Sequence, residues 1–439
     1  MSKLWSKGYD LQPFIERFMT GDDPKLDLRL VIYDCRGSIA HAAMLCKIGI
    51  LTEDEYEQLK KALEEIISLS ENGTFTIAND EEDVHTAVEN FLTRKLGETG
   101  KKIHTARSRN DQILTDVRLY MRDQIILATK QVETLCKTLR DFAKKHTEIP
   151  YVGRTHYQKA MPSSWGLWAG AFLESLLDDA ELLKGAYQIL DQCPLGSAAS
   201  YGVSLLIDRQ LTADALGFAA VQNNVLYANN SRGKFEGILI HALSQIMLDL
   251  SKMATDMILF SAPEMGYLKL PVAFCPGSSL MPQKKNPCPL ELIRAKSAAV
   301  TADLFQILET VRALPSGYNR DFQETKRPLF HACDTTVDSL EVMHLILEGI
   351  AVDEEACLRG FTNEVFATDE VLNRIQQNGV PFREAYRQVA EQLDSLEKSD
   401  PKKNILAKIH IGATGNLGLE CSEERIKNLN QLRNLSEKR

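Results

Sequence analysis

A chain of 439 residues is longer than one compact core usually sustains, so two or three domains are expected. A net charge of −9 without a long basic run argues against a nucleic-acid surface, while 44% hydrophobic and 25% charged residues fit a soluble globular enzyme. No run of about 18 uncharged apolar residues is present to span a membrane, and the start MSKLWSKGYD lacks the apolar centre of a signal peptide.

The first hundred residues read as short helices. Thr52-Glu-Asp-Glu55 is a capping box, and Tyr56, Leu59, Leu63 and Ile66 follow at helical spacing, with Gly73 beyond the end. A second short helix is expected from about Val84 to Leu96, stopped by Gly97. From about Gln112 the pattern lengthens. Ile113, Val117, Met121, Ile125, Ala128, Val132, Leu135, Leu139 and Phe142 follow in steps of three and four, with no Pro or Gly before Pro150. Such a helix has about 30 residues and is roughly 45–50 Å long. Two more long helices carry Trp165 to Leu190, ended by Pro194, and Phe235 to Phe260, ended by Pro263. Two further ones span about 288–314 and about 328–350.

Helices this long imply a bundle. Ile125-Ile126, Leu176-Leu177 and Ile238-Leu239-Ile240 extend the apolar surface beyond one stripe, so subunit association is expected. The last hundred residues read as shorter helices, with Lys398-Ser-Asp-Pro-Lys-Lys403 as a polar loop and a charged tail. The expected division is an N-terminal helical domain (1–106), a central long-helix domain (107–350) and a small C-terminal helical domain (351–439). Nine cysteines, odd in number and never spaced Cys-x-x-Cys, read as reduced thiols of a cytoplasmic protein without a metal site.

Four polar clusters interrupt the helices. Ser108-Arg-Asn-Asp-Gln112 precedes the first long helix; capping needs one such residue, not five in a row flanked by Arg107. Gly153-Arg-Thr-His156 lies between the first two long helices, where side chains from different helices can converge. Gly277-Ser-Ser-Leu-Met-Pro-Gln-Lys-Lys-Asn-Pro287 packs hydroxyls, lysines and an amide beside a helix start. Asn286 is read there as N-cap and Pro287 as the first helical residue, an arrangement suited to a carboxylate. Gly277 and the two serines suggest a lid. Tyr318-Asn-Arg-Asp-Phe-Gln-Glu-Thr-Lys326 follows Pro315 and Gly317 as a polar turn.

The 277–287 run resembles the signature loop of the aspartase/fumarase superfamily, and its Ser-Ser-Leu-Met-Pro-Gln-Lys-Lys-Asn-Pro form is most similar to the argininosuccinate lyase family. Arg107-Ser-Arg-Asn-Asp-Gln112 and the Thr155-His156 pair resemble motifs of the same family. The resemblance implies an all-α fold with a central five-helix bundle that forms a homotetramer, each active site being shared by three subunits. It implies reversible β-elimination of argininosuccinate to arginine and fumarate in arginine biosynthesis, with no cofactor. By the same resemblance Asn110 and Asn286 bind substrate, Thr155 holds a substrate carboxylate, and Tyr318, Gln323 and Lys326 contact the amino-acid half. His156 and Ser278 are the proton-transfer pair, Ser278 being read as base and His156 as acid or relay. His85, in Asp83-Val-His-Thr86, is a supporting residue with Ser108, Arg109 and Lys284, whereas Lys285 has no assigned role.

Departures from the family are also visible. Phe18-Met-Thr-Gly-Asp-Asp-Pro24 stands where an Asn-x-Ser context is usual. Asn229-Asn-Ser-Arg-Gly-Lys234 keeps Ser231-Arg232 but lacks the two acids of an Asp-Ala-x-Ser-Asp-Arg pattern. Ala367-Thr-Asp369 and Pro381-Phe-Arg-Glu-Ala385 resemble the family's C-terminal domain. Two alternatives follow: a sister lyase acting on another N-substituted aspartate, and a crystallin-like structural protein without activity. Lys284-Lys285 weighs against the first, since adenylosuccinate lyases and fumarases carry Lys-Arg or Lys-Val there. The retained His156, Ser278, Asn286, Gln323 and Lys326 weigh against the second.

Overall fold

Five long helices organise the molecule: Arg109–Lys145, Trp165–Leu190, Lys234–Ser261, Cys288–Val311 and Lys326–Gly349. They are seen in a computed structural model that describes residues 12–78, 81–397 and 399–437; the MSKLWSKGYD start and Lys398 lie outside it. The first helix has 37 residues, about 55 Å at the usual rise. It begins three residues before the apolar spacing does, because Ser108 caps it and Asp111 completes the capping box. The 234–261 helix packs against the 288–311, 165–190 and 326–349 helices, and the 109–145 helix against 165–190 and 326–349.

One apolar core runs along this bundle, with Ile125, Val132, Leu139, Trp165, Leu176, Leu239, Leu250 and Leu340 all buried. At about 1.5–3 kcal/mol per buried aliphatic side chain, this seam outweighs every capping contact in setting the architecture. Leu177 and Ile240 are buried beside their neighbours Leu176 and Leu239, so those helices do bury more than one stripe. Leu248, Leu292, Phe305, Leu308 and Leu345 remain exposed on the same helices.

The N-terminal helices Val31–Lys47, Glu53–Glu71 and Val84–Leu96 enclose a second core containing Leu45, Leu59, Leu63 and Val88. The Thr52–Glu55 capping box forms, and Gly97 ends the third of these helices at φ +60°.

Local structure departs from expectation in three places. A β-hairpin, Pro150–Thr155 with Gln158–Ser164, replaces the loop between the first two long helices, and two smaller two-stranded sheets accompany it in the otherwise helical chain. Pro401-Lys-Lys403 is the first turn of a helix, not a loop, because Asp400 accepts from the Lys402 and Lys403 amides. The charged tail is the helix Leu419–Glu437, which docks on the bundle by burying Ile426 and Leu429 in its core. Its polar outer face hid a sparse apolar stripe.

Candidate active site

A cleft of about 200 Å³ opens where the N-terminal helices meet the end of the bundle. Asn110, Tyr318, Gln323 and Lys326 line it, with His85 and Arg109 beside them. Ser108 does not reach it and acts at the helix start: its Oγ accepts from the Asn110 amide at 3.2 Å, and its amide donates to Asp111 at 2.8 Å. Asp111 Oδ2 then accepts from the Gly196 and Ala198 amides, both at 2.9 Å, which fastens the 196–198 turn to the same helix end. This cap presents Asn110 to the cleft. The Arg109 fork reaches Asp83 at 3.0 Å, Glu82 at 3.4 Å and Thr86 Oγ1 at 3.0 Å.

The opposite wall is tied to the short helix Asp23–Asp27. Lys326 is buried and donates to Asp27 at 2.5 Å and Asp23 at 2.8 Å. Burial alone would lower its pKa, but the Asp27 and Asp23 charges outweigh that and raise it. Asp23 shows the counterpart: burial lifts it to about 6, with Lys326 opposing and Asp27 assisting. Gln323 Nε2 donates to the Met19 carbonyl at 3.0 Å, and Arg320 pairs with Glu82 at 2.6 Å. Tyr318 is half exposed at the rim.

His85 is buried, and its Nδ1 donates to Asp34 Oδ1 at 2.9 Å. Burial opposes ionisation of Asp34, yet His85 and Arg107 hold its pKa below the usual value. Asp116, 3.8 Å from the same nitrogen, is pushed well above the carboxylate range by burial and by the Asp34 charge. Among the described residues, Asp34, His85 and Asp116 form a set that could hold a metal ion, with one donor atom each inside 4.8 Å. The geometry matches a proton-sharing cluster better. The imidazole already donates to Asp34, and Arg107 and Lys326 supply positive charge nearby.

The remaining predicted residues sit in two other places. Thr155 and His156 are exposed at the tip of the hairpin. Thr155 pairs with Gln158, so His156 and Tyr157 are the two turn residues, at φ +51° and +61°. Such a tight turn favours Asn and Gly, and two larger residues in the left-handed region store strain of the kind found at functional sites. Ser278 lies in the 275–287 loop, where its Oγ accepts from the Leu280 and Met281 amides at 3.3 and 3.1 Å. Lys284 and Lys285 are exposed. Asn286 does not cap the next helix, which begins at Cys288 after Pro287. Its amide and Nδ2 donate back to the Pro276 and Gly277 carbonyls, at 3.1 and 3.3 Å, and staple the loop's two ends together. Pro287 and Pro289 both lack the N–H that a capping side chain would satisfy.

The family described as Lyase matches residues 18–302. The chain is 47% identical over 389 residues to the argininosuccinate lyase of Thermotoga neapolitana, covering 89% of this chain and 98% of that one. It is 40% identical over 424 residues to that of Sorangium cellulosum, with 97% and 98% covered. The chain belongs to the argininosuccinate lyase family. Its fold is shared with a solved EDDS lyase in complex with formate, at TM-score 0.83 and 22% identity, covering 98% of this chain and 93% of that one. Class II fumarase from Schistosoma mansoni aligns at TM-score 0.73 and 16% identity, over 88% and 92% of the two chains.

The charged cleft residues Asp27, Glu82 and Arg320, and the buried Asp34 and Asp116 beside His85, were not assigned a role from the sequence. Asp27, Asp34 and Asp116 sit inside helical runs, where a carboxylate reads as solvated surface. Asp23 was visible only within a departure from the family pattern and Arg232 only as a retained part of one, and both line the cleft.

Proposed function

We propose that the chain carries out reversible β-elimination of argininosuccinate to L-arginine and fumarate, in arginine biosynthesis, by acid–base catalysis. The observation that carries this reading is the gathering of Asn110, Tyr318, Gln323 and Lys326, from segments more than two hundred residues apart, around one cleft. The cleft takes the amino-acid half of the substrate. Removal of the Cβ proton beside a carboxylate builds a dianionic, nitronate-like intermediate that needs fixed donors around it. Ser278 serves as base and His156 as acid or relay to the departing nitrogen, with Thr155 and Asn286 on the substrate carboxylates. A serine hydroxyl is a weak base, and Lys284 with the nearby start of the 288–311 helix supplies the positive field it requires.

Thr155, His156 and Ser278 do not line the cleft of their own chain. We therefore assign the working form to a homotetramer in which three subunits complete each site. The exposed Leu248, Leu292, Phe305, Leu308 and Leu345 on the long helices support burial of that face by other copies. The three-domain division at 107 and 351 is part of the same proposal. So is a cytoplasmic location, supported by nine cysteines that are all free, with no helix among the described residues long and apolar enough to cross a membrane.

The test is the ultraviolet absorbance of fumarate after purified protein meets argininosuccinate, with adenylosuccinate, aspartate and malate in parallel. A rise with argininosuccinate alone is expected. A rise with another compound instead would move the substrate, and silence with all four would favour a structural role.

A further inference from the structure

The charge inventory of the cleft leaves one cation over. Arg109 is paired with Asp83 and Glu82, Arg320 with Glu82, and Lys326 with Asp23 and Asp27. Arg232 also lines the cleft, is 5% exposed, and has no ion pair among the described residues. Its Nε is buried without a hydrogen-bond partner. A buried guanidinium in that state is costly unless an anion completes it. Glu236, an acid whose field reaches it, is pushed up by burial, and its Oε2 already accepts from the Gly233 amide at 2.7 Å.

The position of Arg232 is built rather than incidental. It follows the helix Val225–Asn230 and precedes Gly233, which turns the chain at φ +80° into the 234–261 helix. A Cβ on Gly233 would lie 2.3 Å from Val311 Cγ1, so only glycine fits there. The guanidinium carbon then sits 5.9 Å from the Phe322 ring centre.

Across from it, Lys326 with Asp23 and Asp27 forms a group of net charge −1. Asp23 Oδ1 meets Lys326, while Oδ2 accepts no hydrogen bond among the described residues, and the Arg232 charge reaches this carboxyl. One uncommitted cation and one surplus negative charge therefore face the same small space. That pairing complements the zwitterionic head of an α-amino acid.

We infer that Arg232 and Asp23 form the head-group subsite for the arginine half of the substrate, the guanidinium taking the α-carboxylate and the carboxylate taking the α-ammonium. The inference rests on the argininosuccinate reading and goes beyond it by naming the residues that select an α-amino acid. Asp23 falls in the stretch where the chain departs from the Asn-x-Ser context, so this half of the subsite belongs to this chain's own sequence.

The experiment is reverse-direction kinetics with the full-length protein, varying arginine and fumarate separately, on wild type, Arg232→Met, Arg232→Lys and Asp23→Asn. Loss of one charge-assisted contact should raise KM for arginine about ten- to a hundredfold while KM for fumarate moves less than about threefold. Arg232→Lys should recover part of the loss. Agmatine, which lacks the α-carboxylate, should inhibit wild type far more weakly than arginine binds, and this gap should close in Arg232→Met. An unchanged arginine KM in Arg232→Met and Asp23→Asn, or an equal rise for fumarate, overturns the inference in an active enzyme. A wild type that forms no argininosuccinate at all fails the functional reading itself, and the subsite with it. Matching thermal unfolding of the variants keeps a folding defect from being read as a binding one.

Discussion

The cleft and the Ser278 loop are built on opposite plans. In the cleft, half of the charges (Asp27, Glu82, Arg232 and Lys326) are buried and most are neutralised by partners on other segments, so the surface exists before substrate arrives. Lys326 and Asp27, 299 residues apart, meet at 2.5 Å inside the protein. The loop instead satisfies itself locally: Ser278 accepts from amides two and three residues on, and Asn286 closes back on Gly277. The His156 hairpin tip is equally local and equally exposed. On the function proposed above, binding of the amino-acid half would be preorganised within one chain, whereas the chemistry would require other copies and closure.

Ser278→Ala should break the contrast most sharply, lowering kcat by about a thousandfold or more with the thermal midpoint unchanged. Near-normal kcat would remove Ser278 from the mechanism. Lys326→Met should do the reverse and act on the fold, since it leaves Asp23 and Asp27 buried without their cation. About 3 kcal/mol of stability should be lost, read by denaturant unfolding. A variant as stable as wild type would show that the cleft is not prebuilt. Gly233→Ala should cost about 2 kcal/mol, because the left-handed backbone and Val311 both oppose the new methyl. Gly73→Ala, also left-handed but in open space, should cost clearly less. Equal losses in the two would remove the packing argument.

The mildest test is pH. Asp23 is raised to about 6 by burial, so it is charged above that value and attracts an ammonium there; the attraction fades as pH falls through about 6. KM for arginine should therefore rise severalfold from pH 7.5 to 5.5. Asp23→Asn should flatten that rise, although Asp27, Lys326 and Arg232 still face the position. A profile unaltered by Asp23→Asn would assign the titration elsewhere.

The bundle was legible because its signal is long and redundant. Apolar residues at three- and four-residue steps, bounded by Pro150, Pro194 and Pro263, define helices whose ends the structure moves by only a few residues. The 150–164 hairpin was not legible. Its turn is His156-Tyr157, not a glycine-bearing pair, and its strands show no clean alternation. The N-cap role read for Asn286 failed because Pro287 and Pro289 leave the first turn with little to cap. Among cleft residues, those in polar clusters at or just before helix starts could be named, notably Asn110, Tyr318, Gln323 and Lys326. Buried acids within helices could not, since their partners lie tens to hundreds of residues away and spacing carries no trace of them.

Subunit complementation tests the division between the two regions most directly. His156→Asn and Ser278→Ala proteins, each inactive alone, would be mixed, exchanged under mild denaturant and reassembled before assay with argininosuccinate. If sites draw on several chains, some hybrid sites carry both native residues, and fumarate release returns. Verified subunit exchange with no recovered activity would mean that one chain supplies both residues, contradicting the shared site.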